Sequence, residues 1–292
     1  MPFFRPLTIF LSTFAVAVAI ADEPKPSSRI VRDLVYASPA GQALQCDVFS
    51  PAGRGRFPVT LVIHGGAWSS GSKTVMGGFA AKLAENGIAA VAINYRHAPE
   101  YKFPAQVDDV REALLWIHDN ADNYHFDTAR IGLFGYSAGG HLACMIATLQ
   151  DESPDRVLTT SDWPANDDRW KRLPQIAACV AGGPPCDFQQ LPPQNTGMTF
   201  FLGATRGERP DVYRAASPLS FSSAGDCPIL FIHGERDFVV PITSSRSLYD
   251  SQLAFGVKSV FVPIEKQGHM VTFLHPKTSE SMFEYLQTQL AR

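Results

Sequence analysis

Apolar residues fall along this chain in two kinds of pattern. Short apolar runs bounded by Gly, Pro and Asn alternate with longer stretches in which apolar residues return every three or four positions. The first kind reads as strands and the second as amphipathic helices. Residues 31–37 and 43–49 make two strands joined by Pro39-Ala40-Gly41, and residues 59–63 form an apolar run that ends at a glycine pair. Further strands are expected at 88–94, 130–134, 176–181, 229–232 and 259–264. Continuous apolar strands imply burial on both faces, as in parallel sheets. Between them, Val107, Val110, Leu114 and Ile117 recur at spacings of 3, 4 and 3 behind Pro104, which suits the first turn of a helix. Phe283, Leu286 and Leu290 mark a closing helix in the same way. This order predicts an α/β domain: a mostly parallel sheet of about eight strands, opened by an antiparallel hairpin and flanked by helices. Ligands then bind along the edge formed by the carboxyl ends of the strands.

Two stretches break the rhythm. Residues 151–174 and 184–227 are rich in Pro, Asp and Gln and weakly periodic, so they read as surface excursions, small caps or lids, rather than a second domain. Phe200, Phe201 and Leu202 in the second either roof an acyl pocket or belong to the core. The N-terminus differs in kind. After Arg5, residues 7–20 carry no charge, and Ala19-Ile20-Ala21 has the small-x-small form of a signal-peptidase site. Fourteen apolar residues fall short of the roughly 20 that span a bilayer. Residues 1–21 are therefore expected to be a cleaved export signal, leaving a domain over 22–292 in the periplasm or outside the cell, with no stable membrane insertion.

Composition narrows the partners. In 292 residues, 45% are apolar and 18% charged, which excludes a disordered chain, and the formal net charge is only -3. Without a basic run, nothing builds the field that a nucleic-acid backbone requires. Cys46, Cys144, Cys179, Cys186 and Cys227 are too sparse for a disulfide scaffold. Cys179 and Cys186 are placed to bridge across a loop, or else most of the five are small buried hydrophobes; both readings stand open. No CxxC pair or other ligand cluster supports a metal site.

The strongest chemical signal is Gly135-Tyr136-Ser137-Ala138-Gly139-Gly140, set between the strand RIGLF and the helical run HLACMIATL. A serine on so tight a strand-to-helix turn stands out above the sheet, with helix N–H groups aimed at the same spot. A serine hydroxyl needs a base and an acid to orient it, at later strand ends. Asp237, in HGERDFVVP, and His269, in EKQGH, occupy such positions in the order Ser, Asp, His. Asp187, past the sixth strand, is the rival acid. Asp108 and Asp109 read as solvated or near-cap charges, and His275 as a surface residue. His97, His118 and His125 read as structural or exposed, and His141 and His233 as making packing or backbone contacts. A tetrahedral oxyanion needs donors already aimed at it. His64-Gly65-Gly66-Ala67-Trp68, after the third strand, offers the N–H groups of Gly66 and Ala67, to which Ala138 adds a third.

The chain resembles the α/β-hydrolase superfamily, and within it the hormone-sensitive-lipase-like and bacterial feruloyl-esterase-like (BD-FAE) carboxylesterases. The resemblance rests on HGGAW at 64–68, NYRHAPEYKFPAQVDDV at 94–110, RIGLFGYSAGGHLA at 130–143, ASPL at 216–219, HGERDFVVP at 233–241 and QGH at 267–269. It implies ester hydrolysis without a cofactor, with Ser137, Asp237 and His269 as the catalytic set and a small-molecule or polysaccharide-linked ester as substrate. Tyr136 departs from the acidic residue often found before the serine, and Ala67 departs from HGGG; both favour the feruloyl-esterase-like branch. An amidase, formamidase or peptidase would use the same residues. A non-catalytic binding protein on this scaffold would typically lack the serine or the histidine.

Overall fold

Among the residues described by the computed structural model, 28–291, eight strands form one sheet. They are β1 (Arg29–Ala37), β2 (Leu44–Ser50), β3 (Phe57–Ile63), β4 (Ala89–Ile93), β5 (Phe126–Tyr136), β6 (Ala178–Gly182), β7 (Ile229–Gly234) and β8 (Val260–Ile264). Their order across the sheet is β1-β2-β4-β3-β5-β6-β7-β8. The expected hairpin is present, since β1 and β2 pair antiparallel; β2 meets β4 antiparallel, and every later pairing is parallel. The expected export signal, residues 1–21, lies outside the described residues.

The connections carry α1 (Gly77–Glu85), α2 (Ala105–Asp119), α3 (Ala121–Tyr124), α4 (Ala138–Thr148), α5 (Pro154–Leu158), α6 (Thr199–Leu202), α7 (Pro210–Ala215), α8 (Ile242–Ala254), α9 (His269–Leu274) and α10 (Pro276–Leu290). The apolar runs are explained by two cores, one on each face. Val59, Leu61 and Ile63 of β3, Val91 of β4 and Phe231 of β7 face one core with α2, α4 and α8. Val62, Ala90, Ala92, Val180 and Leu230 face the other with α1 and α10. Alternate residues of one strand thus enter opposite cores, so both positions of the period must be apolar. Pro104 stands one place before α2, at its cap, rather than inside it.

The strand order has a consequence for the site. From β3 the chain goes to β4 on one side, then returns to β5 on the other and continues to β8. The carboxyl ends of β3 and β5 therefore flank the switch point, where an open α/β sheet leaves a crevice for ligands. His64 follows β3 and Ser137 follows β5.

Two expectations are resolved or corrected here. All five cysteines are buried and free, so the Cys179–Cys186 bridge is not formed. Asp108 does lie in the first turn of α2, but it and Asp109 are buried rather than solvated. Asp108 pairs with Arg111 at 2.9 Å and accepts hydrogen bonds from Ser161 Oγ (2.6 Å) and Asp162 N (2.7 Å), which fastens the first excursion to α2. Asp109 takes the Arg96 guanidinium at 2.7 Å and the Arg96 backbone N–H at 2.8 Å. Apart from Arg111, one turn along α2, the partners that allow their burial come from outside the helix, so the helical pattern alone could not show them.

Candidate active site

Ser137 sits between β5 and α4 with φ 55° and ψ −120°, a backbone conformation that costs an ordinary L-residue about 1–3 kcal/mol. The turn is held from both sides. Ser137 N donates to Gly182 O at 2.7 Å, and His141 N donates to Ser137 O at 2.9 Å. Its glycines are required by contact: a Cβ on Gly139 would lie 2.2 Å from Ile63 O, and one on Gly135 would lie 2.1 Å from Gly139 O.

The loop after β3 presses on this elbow. A Cβ on Gly65 would fall 2.8 Å from Tyr136 O and 3.2 Å from Ser137 Cβ. Gly66, Ala67 and Trp68 all have positive φ, and Gly66 O accepts the N–H groups of Ser69 and Ser70, each at 3.0 Å. The backbone N–H groups of Gly66, Ala67 and Ala138 donate to no backbone acceptor among the described residues. Ala138 also opens an eleven-residue helix, whose first N–H groups have no intrahelical acceptor.

The base and acid come from the far half of the sheet. Asp237, in the turn after β7, places Oδ2 at 2.5 Å from His269 Nδ1, at the start of α9 after β8. Its Oδ1 accepts the N–H groups of Val239 and Val240, both at 2.9 Å. Burial alone would raise the Asp237 carboxyl, but hydrogen bonds from His233, Val240 and His269 outweigh it and hold it down to about 2. With Nδ1 turned to the carboxylate, His269 keeps Nε2 for another partner. The end of β6 ties serine and histidine together: Gly182 O holds Ser137 N, and a Cβ on Gly183 would lie 3.0 Å from His269 Cε1. Asp187 bonds instead to Gln189 N at 2.9 Å.

Three contacts are not evident in the sequence. Tyr136 donates its hydroxyl to His269 O at 2.5 Å and places its ring 5.2 Å from the imidazole. His233, buried at the end of β7, reaches Asp237 Oδ2 at 3.3 Å and Val240 O at 2.9 Å. Trp68 Nε1 donates to His141 Nδ1 at 3.1 Å, so the proton of His141 lies on Nε2, which donates to Ala216 O at 2.7 Å. Burial lowers the His141 pKa to about 4, so this tautomer persists at neutral pH. Only His233 had a readable signal, a histidine four residues before the acid. His275 accepts from Lys277 N at the cap of α10, and His118 and His125 are exposed, as expected for residues outside the site. His97 is half-buried, edge-on to His64. Phe201, placed by α6, is fully buried and stacks on Trp68 at 4.2 Å, so it belongs to the core beneath the loop.

Comparison with known proteins agrees with this architecture. The BD-FAE family model matches residues 46–252. The chain is 30% identical over 220 residues to esterase LipC of Mycobacterium tuberculosis, covering 73% of this chain and 52% of LipC. It is 32% identical over 203 residues to the probable carboxylic ester hydrolase LipM of the same organism, covering 67% and 45%. The chain thus spans about half the length of these curated relatives. Among solved structures, a truncated carbohydrate esterase from gut microbiota superposes with TM-score 0.79 at 24% identity, over 92% of this chain and 99% of that one. Butyrate-bound esterase 2 of Thermogutta terrifontis superposes with TM-score 0.72 at 23% identity, over 91% and 94%. At these identities the superpositions establish the α/β-hydrolase fold.

Proposed function

The chain belongs to the BD-FAE family, and on that premise we propose that it is an exported serine carboxylesterase that cleaves short-acyl, acetyl-polysaccharide or feruloyl esters. The observation that carries this reading is the His269–Asp237 pair at 2.5 Å beside an elbow that holds Ser137 at positive φ. Ser137 Oγ attacks the ester carbonyl while His269 Nε2 takes its proton. The developing oxyanion lies against the free N–H groups of Gly66, Ala67 and Ala138. His269 then protonates the leaving alcohol, Asp237 stabilises the imidazolium, and water repeats the cycle on the acyl-enzyme. Relatives named as esterases support ester cleavage, and the uncharged 7–20 segment with its Ala-Ile-Ala end supports export.

The test is hydrolysis of p-nitrophenyl acetate together with labelling by a fluorophosphonate. The wild-type protein should hydrolyse the ester and take the label, and Ser137→Ala should lose nearly all of both. Equal rates in the two proteins would remove Ser137 from the mechanism, and a wild type that takes no label would favour a binding protein.

A further inference from the structure

Eleven large apolar side chains are exposed among the described residues, and five of them lie in two short segments beside the acid and the base. Phe238 is 93% exposed and Val239 70%, directly after Asp237; Met270, Val271 and Leu274 are 63%, 54% and 75% exposed, just after His269. The segments run side by side, since Arg236 N donates to Gln267 O at 2.9 Å and Asp237 meets His269 at 2.5 Å. On α9, His269 and Thr272 turn inward, which leaves Met270, Val271 and Leu274 on the outer face, with Leu274 four residues beyond Met270 and three beyond Val271. A cluster of large apolar groups left in water marks a binding surface. Its place decides the occupant: a protein seated on residues adjoining the acid and base would cover the approach to Ser137, whereas the substrate belongs there.

The chemistry decides which half of the substrate meets this surface. The ester carbonyl oxygen must point at Gly66, Ala67 and Ala138, and the leaving oxygen must face His269 Nε2 to be protonated. Groups adjoining His269 and Asp237 therefore meet the alcohol half. We infer that the alcohol portion of the substrate is apolar, an alkyl or aryl alcohol, which among the esters proposed above selects those of simple alcohols over polysaccharide-linked ones, and that it rests on Phe238, Val239, Met270, Val271 and Leu274. This inference rests on the esterase reading above. The outer face of α9 is about 8 Å long at a rise of about 1.5 Å per residue, room for roughly a six-carbon chain or one aromatic ring.

The experiment compares kcat/KM along two series, acetates of methanol, 1-butanol and 1-hexanol, and methyl esters of acetic, butyric and hexanoic acids. Burying methylenes against the rim should raise the acetate series about two- to fourfold per methylene in the wild type. The double variant Phe238→Ser, Leu274→Ser should flatten that slope and leave the slope of the methyl-ester series in place. Phe255→Ser, an exposed apolar residue beyond α8, should alter neither slope. A flat acetate series in a wild type whose hydrolysis depends on Ser137 overturns the inference alone, as does a double variant that flattens the acyl series instead. A wild-type dimer on light scattering that Leu274→Ser dissolves would assign the surface to a second copy, and phosphatidylcholine-vesicle binding lost in that variant would assign it to lipid; either overturns the inference. Absence of any Ser137-dependent hydrolysis overturns the esterase reading and the inference with it.

Discussion

Replacing Asp237 by Asn changes one atom, and the surrounding hydrogen bonds dictate where the new amide group goes. Oδ1 accepts two backbone N–H groups, from Val239 and Val240, while Oδ2 faces the rings of His269 and His233. Turning the NH2 toward Val239 and Val240 would set donor against donor and forfeit two hydrogen bonds, at about 2–3 kcal/mol. The NH2 therefore faces His269 Nδ1, which must become an acceptor, and the imidazole proton moves to Nε2. In that tautomer Nε2 cannot take a proton from Ser137, and about 2–3 kcal/mol leaves only roughly one molecule in 30 to 150 in the competent form. The lost carboxylate adds to this. A unit-charge pair about 4 Å apart is worth about 4 kcal/mol at an effective dielectric near 20, and even half of that is some 30-fold in stabilising the imidazolium. Together these give a fall in kcat of about 10³- to 10⁴-fold for p-nitrophenyl acetate, with circular dichroism unchanged. A variant that keeps a tenth of kcat, or an Asp187→Asn variant that loses more, would refute the assignment of the acid.

Other consequences of the same contacts can be measured directly. Tyr136→Phe leaves the buried His269 carbonyl without its donor, so thermal unfolding should show a loss of about 1–3 kcal/mol, with kcat falling more than KM rises. Asp108→Ala strands the buried Arg111 guanidinium and unties residues 161–162, which should cost about 3–5 kcal/mol in urea unfolding. Because folding holds the Asp237 carboxyl down to about 2, its contribution to stability is fully present above about pH 4 and is lost as pH falls through 2. Acid unfolding of Asp237→Asn should therefore show a shallower slope between pH 4 and 2 than the wild type.

What could be read in advance follows from which interactions are local. The central strands were legible because alternate residues enter two apolar cores, which makes each of them a continuous run. Ser137, Asp237 and His269 were legible because each lies just past such a run. Contacts that join distant segments left no trace in local pattern. An acidic pair near the start of a helix reads the same whether solvated or buried; Arg96 arrives from elsewhere to cover Asp109, and Ser161 joins Arg111 of the same helix over Asp108. Tyr136 and His269 are 133 positions apart, so their hydrogen bond could not be anticipated from either neighbourhood.

The second excursion, residues 184–227, acquires a structural part in the site from these contacts. Ser137, Ala67 and Trp68 are three of the seven non-glycine residues with positive φ among those described, and all three lie in the two loops that would bind the oxyanion. Backbone held in this region persists only where its surroundings over-determine it. For Ser137 the restraint comes from Gly182 and His141. For Trp68 it comes from Phe201 stacked at 4.2 Å, from His141 bonded to its indole, and from Ala98 N donating to its carbonyl at 2.9 Å. His141 is itself fixed by Ala216 O, so two of the groups that brace the loop proposed to bind the oxyanion, Phe201 and Ala216, belong to the excursion. Shortening it would therefore release the donors before it altered any substrate contact, and kcat would register the change for every ester alike.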